Sequence, residues 1–370
     1  MSTRPPHILM AGGGTGGHVY PAIAIADAVT ALRPNARVVF AGTDDRLEAQ
    51  AVPAAGYALH PITAQGVERR LSWKNLAVPV QVARSLVQSW RLVGAIEPDV
   101  AVGTGGYVSG PVLLAAWMRG RPLLVQEQNA YAGVTNRLLS RLAERIHLAF
   151  PEARDWVPTD RSVVTGNPTR TALRTADRAE ARAALQIPSE AHVLLVLGGS
   201  LGSAAINDAV AAALPTLLDD TQTHVVWQTG SRYYDALQDR IDEHPRLRLI
   251  EYIDRMDRAY AAADLALCRA GALTCSELAV TGTPAVLVPS PNVVADHQTK
   301  NARSMERAGA ARLLPESELS DRGGDVVVDL LHDPDARADM ASAARTMARP
   351  DAAEQIARDV LALADQYRTH

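Results

Sequence analysis

Two glycine-rich segments have residue types and spacing suited to binding a phosphate. The first is Gly12-Gly13-Gly14-Thr15-Gly16-Gly17, and the second is Gly198-Gly199-Ser200-Leu201-Gly202. An offset of 185 positions aligns His7 with His192. It also places Gly13, Gly14, Thr15 and Gly17 on Gly198, Gly199, Ser200 and Gly202. Each segment follows an apolar run and precedes an alanine-rich stretch, which is the order of a strand, a glycine loop and a helix. In such a unit the backbone N–H groups of the loop and of the helix N-terminus can bind an anion. The repeat therefore predicts two α/β domains facing one anionic ligand, such as a nucleotide.

His18 stands directly after the first glycine segment, near the predicted start of a helix over Pro21–Leu32. A helix N-terminus lowers the pKa of a histidine and favours the neutral imidazole. Beside a phosphate-binding loop, a neutral imidazole is suited to act as general base toward a hydroxyl. Hydrogen bonding to a substrate and simple capping or packing are the alternatives.

Three further segments also follow apolar runs, at 103–111, 269–277 and 296–301. The first is glycine-rich and predicts a second anion pocket in the N-terminal half. In the second, Thr274-x-x-Glu277 fits a capping box, but Glu277 is also suited to accept hydrogen bonds from ribose hydroxyls. The third is a polar cluster suited to sugar hydroxyls. No Asp-x-Asp motif stands at a strand end, so the sequence predicts no metal.

Composition narrows the class of protein. The chain has 370 residues, which favours two domains, and its formal net charge of −4 argues against nucleic acid as the main partner. Cys268 and Cys275 fit no disulfide or zinc spacing, which is typical of a reducing cytosol. We expect no secretory signal and no transmembrane segment, since every apolar run is strand-length.

Apolar runs alternate with helical stretches along the whole chain. Most of these runs are apolar throughout, which is typical of parallel strands covered on both faces. The βαβ rhythm predicts doubly wound sheets. The domain boundary is expected near 162–170, where Gly166-Asn167-Pro168 breaks regular structure. The predicted strands are His7–Ala11, Val38–Gly42, Ala58–Ile62, Val100–Thr104, Leu123–Glu127, Arg145–Phe150, Val193–Gly198, His224–Thr229, Leu247–Ile253, Leu265–Ala270, Ala285–Pro289 and Ala311–Leu314.

Residues 67–93 combine basic and large apolar side chains. Such a mixture is typical of a surface that contacts an anionic bilayer, and an ordinary amphipathic helix is the alternative. The basic members are Arg69, Arg70, Lys74, Arg84 and Arg91, and the apolar members are Leu71, Trp73, Leu76, Val78, Val80, Leu86 and Trp90.

The glycine-x-glycine-x-x-glycine pattern at 12–17 is a weak signal when taken alone. Dehydrogenases carry it with an acidic residue after the second strand, and Asp44 and Asp45 fit that alternative. Taken together, however, the motifs resemble the MurG family of N-acetylglucosaminyltransferases over nearly the whole chain. The resemblance rests on seven segments in order: 12–21, 103–111, 127–129, 166–170, 198–202, 269–277 and 296–301.

The resemblance implies a GT-B fold, in which two Rossmann-like doubly wound parallel-sheet domains face an interdomain cleft. It implies inverting transfer of GlcNAc from UDP-GlcNAc to the C4 hydroxyl of undecaprenyl-diphosphate-linked MurNAc-pentapeptide, with no metal and no cofactor. Residues 1–165 would bind the acceptor and the membrane, and residues 166–350 would bind UDP-GlcNAc. A helix over 351–370 would pack back toward the first domain. The enzyme would be peripheral, on the cytoplasmic side of the inner membrane.

The resemblance also assigns roles to individual residues. His18 would be the general base, and Gly14, Gly105 and Tyr107 would bind the acceptor. Glu277 would bind ribose, Ile253 would bind uracil through its backbone, and Asn129 and Gln298 would contact the sugar. The full set expected to bind the donor is Thr15, Gly16, Gly17, Asn129, Arg170, Ser200, Ile253, Ala272, Leu273, Thr274, Cys275, Ser276, Glu277 and Gln298.

Three other functions compete with this hypothesis. They are a GT-B transferase with a soluble acceptor, a nicotinamide-dependent dehydrogenase, and a UDP-sugar sensor without activity. The first would lack the interfacial surface, the second would bind NAD, and the third would never release UDP.

Overall fold

Two parallel β-sheets organise the chain. The computed structural model describes residues 4–63, 78–293 and 296–369. The chain divides into an N-terminal unit, Met1–Arg170 with Pro350–His370, and a C-terminal unit, Thr171–Arg349. The division after Arg170 lies five residues beyond the expected boundary, and the last segment of the chain belongs to the first unit.

The N-terminal unit contains a seven-stranded sheet of order β3-β2-β1-β4-β5-β6-β7, in which all neighbouring strands pair in parallel. Its strands are β1 (His7–Gly12), β2 (Arg37–Gly42), β3 (Ala58–Pro61), β4 (Val100–Gly105), β5 (Leu123–Glu127), β6 (Arg145–Leu148) and β7 (Ser162–Val164). Its helices are α1 (Gly16–Leu32), α2 (Leu47–Ala54), α3 (Val78–Ile96), α4 (Ser109–Met118) and α5 (Val134–Leu139), with a 3₁₀ turn at Pro151–Trp156.

The C-terminal unit contains a six-stranded parallel sheet of order β10-β9-β8-β11-β12-β13. Its strands are β8 (His192–Leu197), β9 (Thr223–Gln228), β10 (Leu247–Ile250), β11 (Leu265–Cys268), β12 (Ala285–Leu287) and β13 (Ala311–Leu313). Its helices are α6 (Ala172–Thr175), α7 (Arg178–Ala184), α8 (Ala204–Asp219), α9 (Tyr234–Gln238), α10 (Met256–Ala262), α11 (Ala272–Thr281), α12 (His297–Arg307), α13 (Leu319–His332) and α14 (Pro334–Met347), with a 3₁₀ turn at Glu316–Glu318.

The predicted pair of doubly wound parallel sheets is confirmed, but one strand was missed. Ser162–Val164 forms the edge strand β7 and pairs with β6, whereas the sequence had suggested the start of a linker. The three residues are too short to give a periodic pattern, and the adjacent Gly166-Asn167-Pro168 hides them.

Both sheets change winding direction at the same relative place. In the first sheet the switch lies between β1 and β4, and in the second it lies between β8 and β11. Ligands of open α/β sheets bind at the carboxyl ends of strands at such a switch point. The two predicted glycine loops and the segments 103–111 and 269–277 all follow these four strands.

The last helix, α15 (Ala352–Thr369), completes the core of the N-terminal unit. Ile356, Val360 and Ala364 are fully buried in one cluster with α1 and the first sheet. Their spacing of four residues places them on one helix face. Burying the Ile and Val side chains contributes about 1.5–3 kcal/mol each. Among the helices of the described residues, none has both the length and the apolar composition of a membrane span.

Candidate active site

In the N-terminal unit, the loops after β1 and β4 pack backbone against backbone. The N–H of Gly13 faces the carbonyl oxygen of Gly105 at 3.4 Å. Gly106 has a φ of +84°, and a Cβ on it would lie 2.3 Å from the Gly13 oxygen. Only glycine fits there, because both the positive φ and the close approach exclude a side chain.

A buried carboxylate that the sequence analysis did not anticipate holds the first glycine loop. Glu48, in the first turn of α2, accepts hydrogen bonds from the N–H of Gly14 at 2.9 Å and from the N–H of Thr43 at 3.1 Å. The Thr43 hydroxyl donates to it at 2.8 Å. A phosphate at this loop would therefore have to use N–H groups other than that of Gly14.

His18 lies in the first turn of α1, because the helix begins at Gly16, five residues before the predicted start. Its Nδ1 lies 3.2 Å from both the carbonyl oxygen of Gly13 and the hydroxyl of Thr15. A carbonyl only accepts, so Nδ1 carries the proton of that bond and Nε2 is unprotonated in the neutral ring. Nε2 faces the loop after β4, since a Cβ on Gly105 would lie 3.1 Å from it.

Burial lowers the pKa of His18 below its ordinary value, and this effect outweighs the opposing influence of Glu127 and Glu48 and of the hydrogen bond to Gly13. The imidazole is therefore neutral near pH 7, as a general base requires.

Other predicted site residues lie near His18. Thr15 is exposed and precedes α1, and Gly16 and Gly17 supply N–H groups of the first turn of α1. Tyr107 is 57% exposed in the loop after β4.

Glu127, at the end of β5, organises the loop that contains Asn129. Its carboxylate accepts from the Asn129 N–H at 2.9 Å, the Gly133 N–H at 3.0 Å and the Asn136 amide at 2.9 Å. Glu127 is 1% exposed, so these bonds replace the water it has lost. Asn129 is half-buried and held in a defined position beside the sheet end.

Arg170 is the last residue of the N-terminal unit. Its guanidinium lies over the ring of Tyr20 in α1, 4.7 Å from the centroid. The structure thus places Arg170 against the first turns of α1, the helix that also carries His18.

In the C-terminal unit, the loop after β8 is locked by another pair of glycines. Gly202 and Gly230 both have positive φ, and a Cβ on Gly230 would lie 2.0 Å from the Gly202 nitrogen. Gly199 also has a positive φ of +93°, but space around it is open. Ser200 is exposed at the tip of the loop, and Ser203 caps α8 by accepting from the Ile206 N–H.

Gln228 joins this loop to the segment after β10. Its amide donates to the carbonyl oxygen of Gly199 at 3.1 Å and accepts from the N–H of Ile253 at 2.9 Å. The Ile253 N–H is therefore engaged within the protein, and a backbone hydrogen bond to a base would use its carbonyl. Gln228 was missed because only the fold reveals that this strand end points into the site.

Helix α11 begins at Ala272, and Gly271 precedes it as the N-cap. Thr274 is thus the third helical residue, and the capping-box alternative is wrong. The first residues of the helix, Ala272, Leu273 and Thr274, present N–H groups without intrahelical acceptors. Glu277 is buried and accepts from the Tyr260 hydroxyl at 3.1 Å. Burial raises the pKa of Cys275 to about 12, so this thiol stays protonated.

Two polar residues connect the remaining loops. The Gln298 side chain accepts from the N–H of Ser290 at 2.8 Å, which leaves its NH₂ group oriented toward other partners. Arg269 donates to the Ser203 hydroxyl at 2.6 Å and to the Val288 carbonyl at 3.2 Å, and it pairs with Glu316. Arg269 begins the segment 269–277, and the sequence indicated no role for it. The structure shows that it ties the ends of β11 and β12 to the start of α8.

Of the predicted membrane surface, residues 64–77 lie outside the described residues. In α3, Arg84, Arg91 and Trp90 are exposed, while Leu86 packs on the core. Arg119 stacks over Trp90 at 4.1 Å. Four further large apolar side chains, absent from the sequence-based set, are exposed on α3 and the adjacent α4: Val82, Val87, Trp117 and Met118.

Comparisons with known proteins identify the family. Residues 8–148 match the glycosyltransferase family 28 N-terminal domain, and residues 193–356 match the C-terminal domain of that family. The UDP-N-acetylglucosamine–N-acetylmuramyl-(pentapeptide) pyrophosphoryl-undecaprenol N-acetylglucosamine transferase of Salinibacter ruber is 73% identical, with 100% of each chain covered. The protein of the same name from Chlorobium limicola is 43% identical over 97% of this chain and 99% of its own.

Among solved structures, MurG of Acinetobacter baumannii superposes with a TM-score of 0.73 at 32% identity, covering 97% of this chain and 100% of that one. The expected GT-B class is thereby confirmed, and the nicotinamide-dependent alternative is not supported. The chain belongs to glycosyltransferase family 28.

Proposed function

We propose that the chain transfers GlcNAc from UDP-GlcNAc to the C4 hydroxyl of undecaprenyl-diphosphate-linked MurNAc-pentapeptide. The proposal rests on the full-length 73% identity to a relative named for this transfer. The geometry supports it, because both units carry glycine loops at sheet switch points and the first unit adds a neutral imidazole there.

In the proposed reaction, the acceptor oxygen forms a bond to C1 of GlcNAc as the bond from C1 to the UDP oxygen breaks. The proton of the hydroxyl passes to Nε2 of His18, and the bonding electrons leave with UDP. Arg170, Ser200 and the N–H groups of Ala272, Leu273 and Thr274 in the first turn of α11 would stabilise the charge that develops on the diphosphate. The Cys275 N–H already donates to the Gly271 carbonyl oxygen at 2.9 Å. No metal and no cofactor takes part in these steps.

The remaining contacts are those that the family resemblance implies for these residues. Glu277 would bind the ribose, the Ile253 carbonyl the uracil, and Asn129 and Gln298 the sugar. Thr15, Gly16 and Gly17 would contact the donor from the N-terminal unit. The acceptor diphosphate would bind at the loops of Gly14 and Gly105, beside Tyr107, with Gly14 serving as backbone rather than as N–H donor.

UDP release in the presence of a short-chain lipid acceptor tests the activity. We expect release that depends on both substrates. Donor binding without release would favour the UDP-sugar sensor, and equal release with a soluble acceptor would favour a different transferase.

Calorimetry with UDP-GlcNAc tests the donor site separately. Glu277→Gln should weaken binding by about 10- to 100-fold, because a hydrogen bond to a charged group is lost. Tyr260→Phe is the matched control, since it removes the bond to Glu277 but leaves the carboxylate, and should change binding only a little. Unchanged binding in Glu277→Gln would refute the ribose role.

We further propose that the exposed apolar side chains of α3 and α4, with Arg84, Arg91 and Arg119, contact an anionic bilayer. A lipid-linked acceptor requires such contact on the cytoplasmic side of the inner membrane. In flotation with anionic vesicles, Trp90→Ala with Trp117→Ala should reduce the bound fraction. Trp156→Ala is the matched control, because Trp156 is also 38% exposed but lies outside α3 and α4.

A further inference from the structure

Two histidines and an aspartate lie close together at the amino ends of the strands of the second sheet. The glycine loop lies at the opposite, carboxyl end of these strands. His192 begins β8, Asp220 follows α8, and His332 ends α13. One ligand atom from each side chain lies within 4.8 Å of the other two. His192 and Thr223 are paired at the amino ends of β8 and β9, so the cluster is remote from the strand ends that carry the proposed donor site.

The Asp220 carboxylate is fixed by its neighbours. Its Oδ1 accepts from the Gln222 N–H at 3.0 Å, and its Oδ2 accepts from the buried Thr223 hydroxyl at 2.6 Å. Arg246 donates instead to carbonyl oxygens, including those of Thr223 and Leu218. The carboxylate is thus oriented toward the two imidazoles.

Each imidazole has one ring nitrogen beside this carboxylate. Nδ1 of His332 lies 2.9 Å from the Val328 carbonyl, which can only accept, so Nδ1 carries a proton. Nε2 of the same ring lies 3.3 Å from Asp220 Oδ2. It can donate a proton to that oxygen when the ring is charged, or bind a metal ion through its lone pair when the ring is neutral. Nδ1 of His192 is buried, has no hydrogen-bond partner among the described residues, and lies 3.7 Å from the same oxygen. A metal cation bound to these three atoms would balance the charge of the carboxylate and give His192 Nδ1 a partner.

We propose that His192, Asp220 and His332 bind a divalent transition metal, with zinc as the best fit. Two ligands about 2.0–2.1 Å from a tetrahedral zinc are separated by about 3.3 Å, which matches the distance between Asp220 and His332. The hydrogen bond from His332 to Val328 and that from Thr223 to Asp220 are the outer contacts that orient such ligands. The metal would join α8, β8 and α13, and it would not take part in the transfer reaction.

Zinc calorimetry on the untagged full-length chain, stripped with a chelator, tests the proposal. We expect one equivalent to bind and the melting temperature to rise. His332→Ala and Asp220→Asn should weaken binding by at least about 100-fold, and Thr223→Val, which removes an outer contact, by about tenfold. His224→Ala is the control, because His224 lies on β9 outside the cluster, and it should bind zinc like the wild type.

The absorption of bound cobalt gives a second readout, because four-coordinate cobalt absorbs strongly in the visible range. Three outcomes would overturn the proposal: no uptake by the wild type, equal uptake by His332→Ala, or an equal loss in His224→Ala. His332 ends a helix at the surface, so its variant still tests the site if Asp220→Asn fails to fold. Calorimetry with UDP-GlcNAc should give the same affinity for His332→Ala and the wild type.

Discussion

The glycine loops after β1 and β8 follow strands that align residue for residue, yet side chains of different charge hold them. The N–H of Gly14 donates to the Glu48 carboxylate, whereas the carbonyl of Gly199 accepts from the Gln228 amide. Both glycines have positive φ, and an added Cβ would meet nothing within 4 Å at either one. The backbone motif is therefore shared, and the difference comes from the side chains beside it, Glu48 in α2 and Gln228 at the end of β9.

That difference has a consequence for anion binding. A buried carboxylate occupies one N–H of the first loop and adds a negative charge, which opposes a phosphate. The amide of Gln228 adds no charge, and it bonds a carbonyl of the second loop rather than an N–H group. We infer that the second loop is the stronger phosphate site and that the first loop chiefly positions His18.

The largest expected effect concerns the first loop. His18→Gln should lower kcat by about 10²- to 10⁴-fold, because the acceptor proton loses its base. Affinity for UDP-GlcNAc, measured by calorimetry, should stay close to that of the wild type. Ser200→Ala in the second loop should show the reverse pattern, with weaker donor binding. Turnover of His18→Gln within about threefold of the wild type would exclude His18 as the base.

Replacing a glycine by alanine should destabilise the protein more where the new Cβ would meet backbone atoms than where it would face open space. In Gly106→Ala and Gly230→Ala the Cβ meets backbone at 2.3 and 2.0 Å, and we expect a loss of about 3 kcal/mol each. Gly14→Ala and Gly199→Ala meet open space and should cost only about 1–2 kcal/mol, from the left-handed backbone. Urea unfolding measures all four, and equal losses would show that the close approach is relaxed in solution.

The comparison can be tested directly by exchanging the side-chain types of the two residues that bond the glycine loops, Gln228 and Glu48. Gln228→Glu should weaken UDP-GlcNAc binding by about tenfold or more, because a carboxylate would face the Gly199 carbonyl and the donor diphosphate. Glu48→Gln should leave donor binding unchanged but lower the free energy of unfolding by about 1–3 kcal/mol, since a buried carboxylate with three donors is lost. Calorimetry and urea unfolding separate the two effects.

The smallest effect is a change in the pH profile. Because the pKa of His18 is lowered, the base is unprotonated above its ordinary value of 6.5 and becomes protonated only below it. The value of kcat/KM should therefore be flat near neutrality and fall on the acid side below pH 6.5. The residual activity of His18→Gln should lack this decrease of kcat/KM at acid pH. If the decrease is unchanged in the variant, it reports the protonation of another group.

The sheets were predictable because their strands are uniformly apolar, but the groups that tune the site were not. Glu48 and Gln228 are ordinary polar residues in the sequence. Their role depends on which strand lies beside which, and this is fixed only by the folded sheet. The start of α1 was misjudged for a related reason, since Gly16 and Gly17 are poor helix formers and burial of the helix overrides that preference.

Charge patterns were only partly informative. The hypothesis of a membrane surface used the basic and apolar residues of α3 but not Trp117 and Met118 of α4, because a run of apolar residues does not reveal which side faces outward. The capping-box pattern at Thr274 was misleading, since the N-cap of α11 is Gly271, three residues before Thr274.

The position of α15 affects how the chain is made. The helix fills the core beside α1 and the first sheet, but it is translated after the whole second unit. The first unit must therefore wait, with an apolar surface uncovered, while the whole second unit is translated and folds. A shortened gene that stops before residue 350 would yield a first half with an open core, whereas a fusion that attaches 350–370 to residue 170 would restore it.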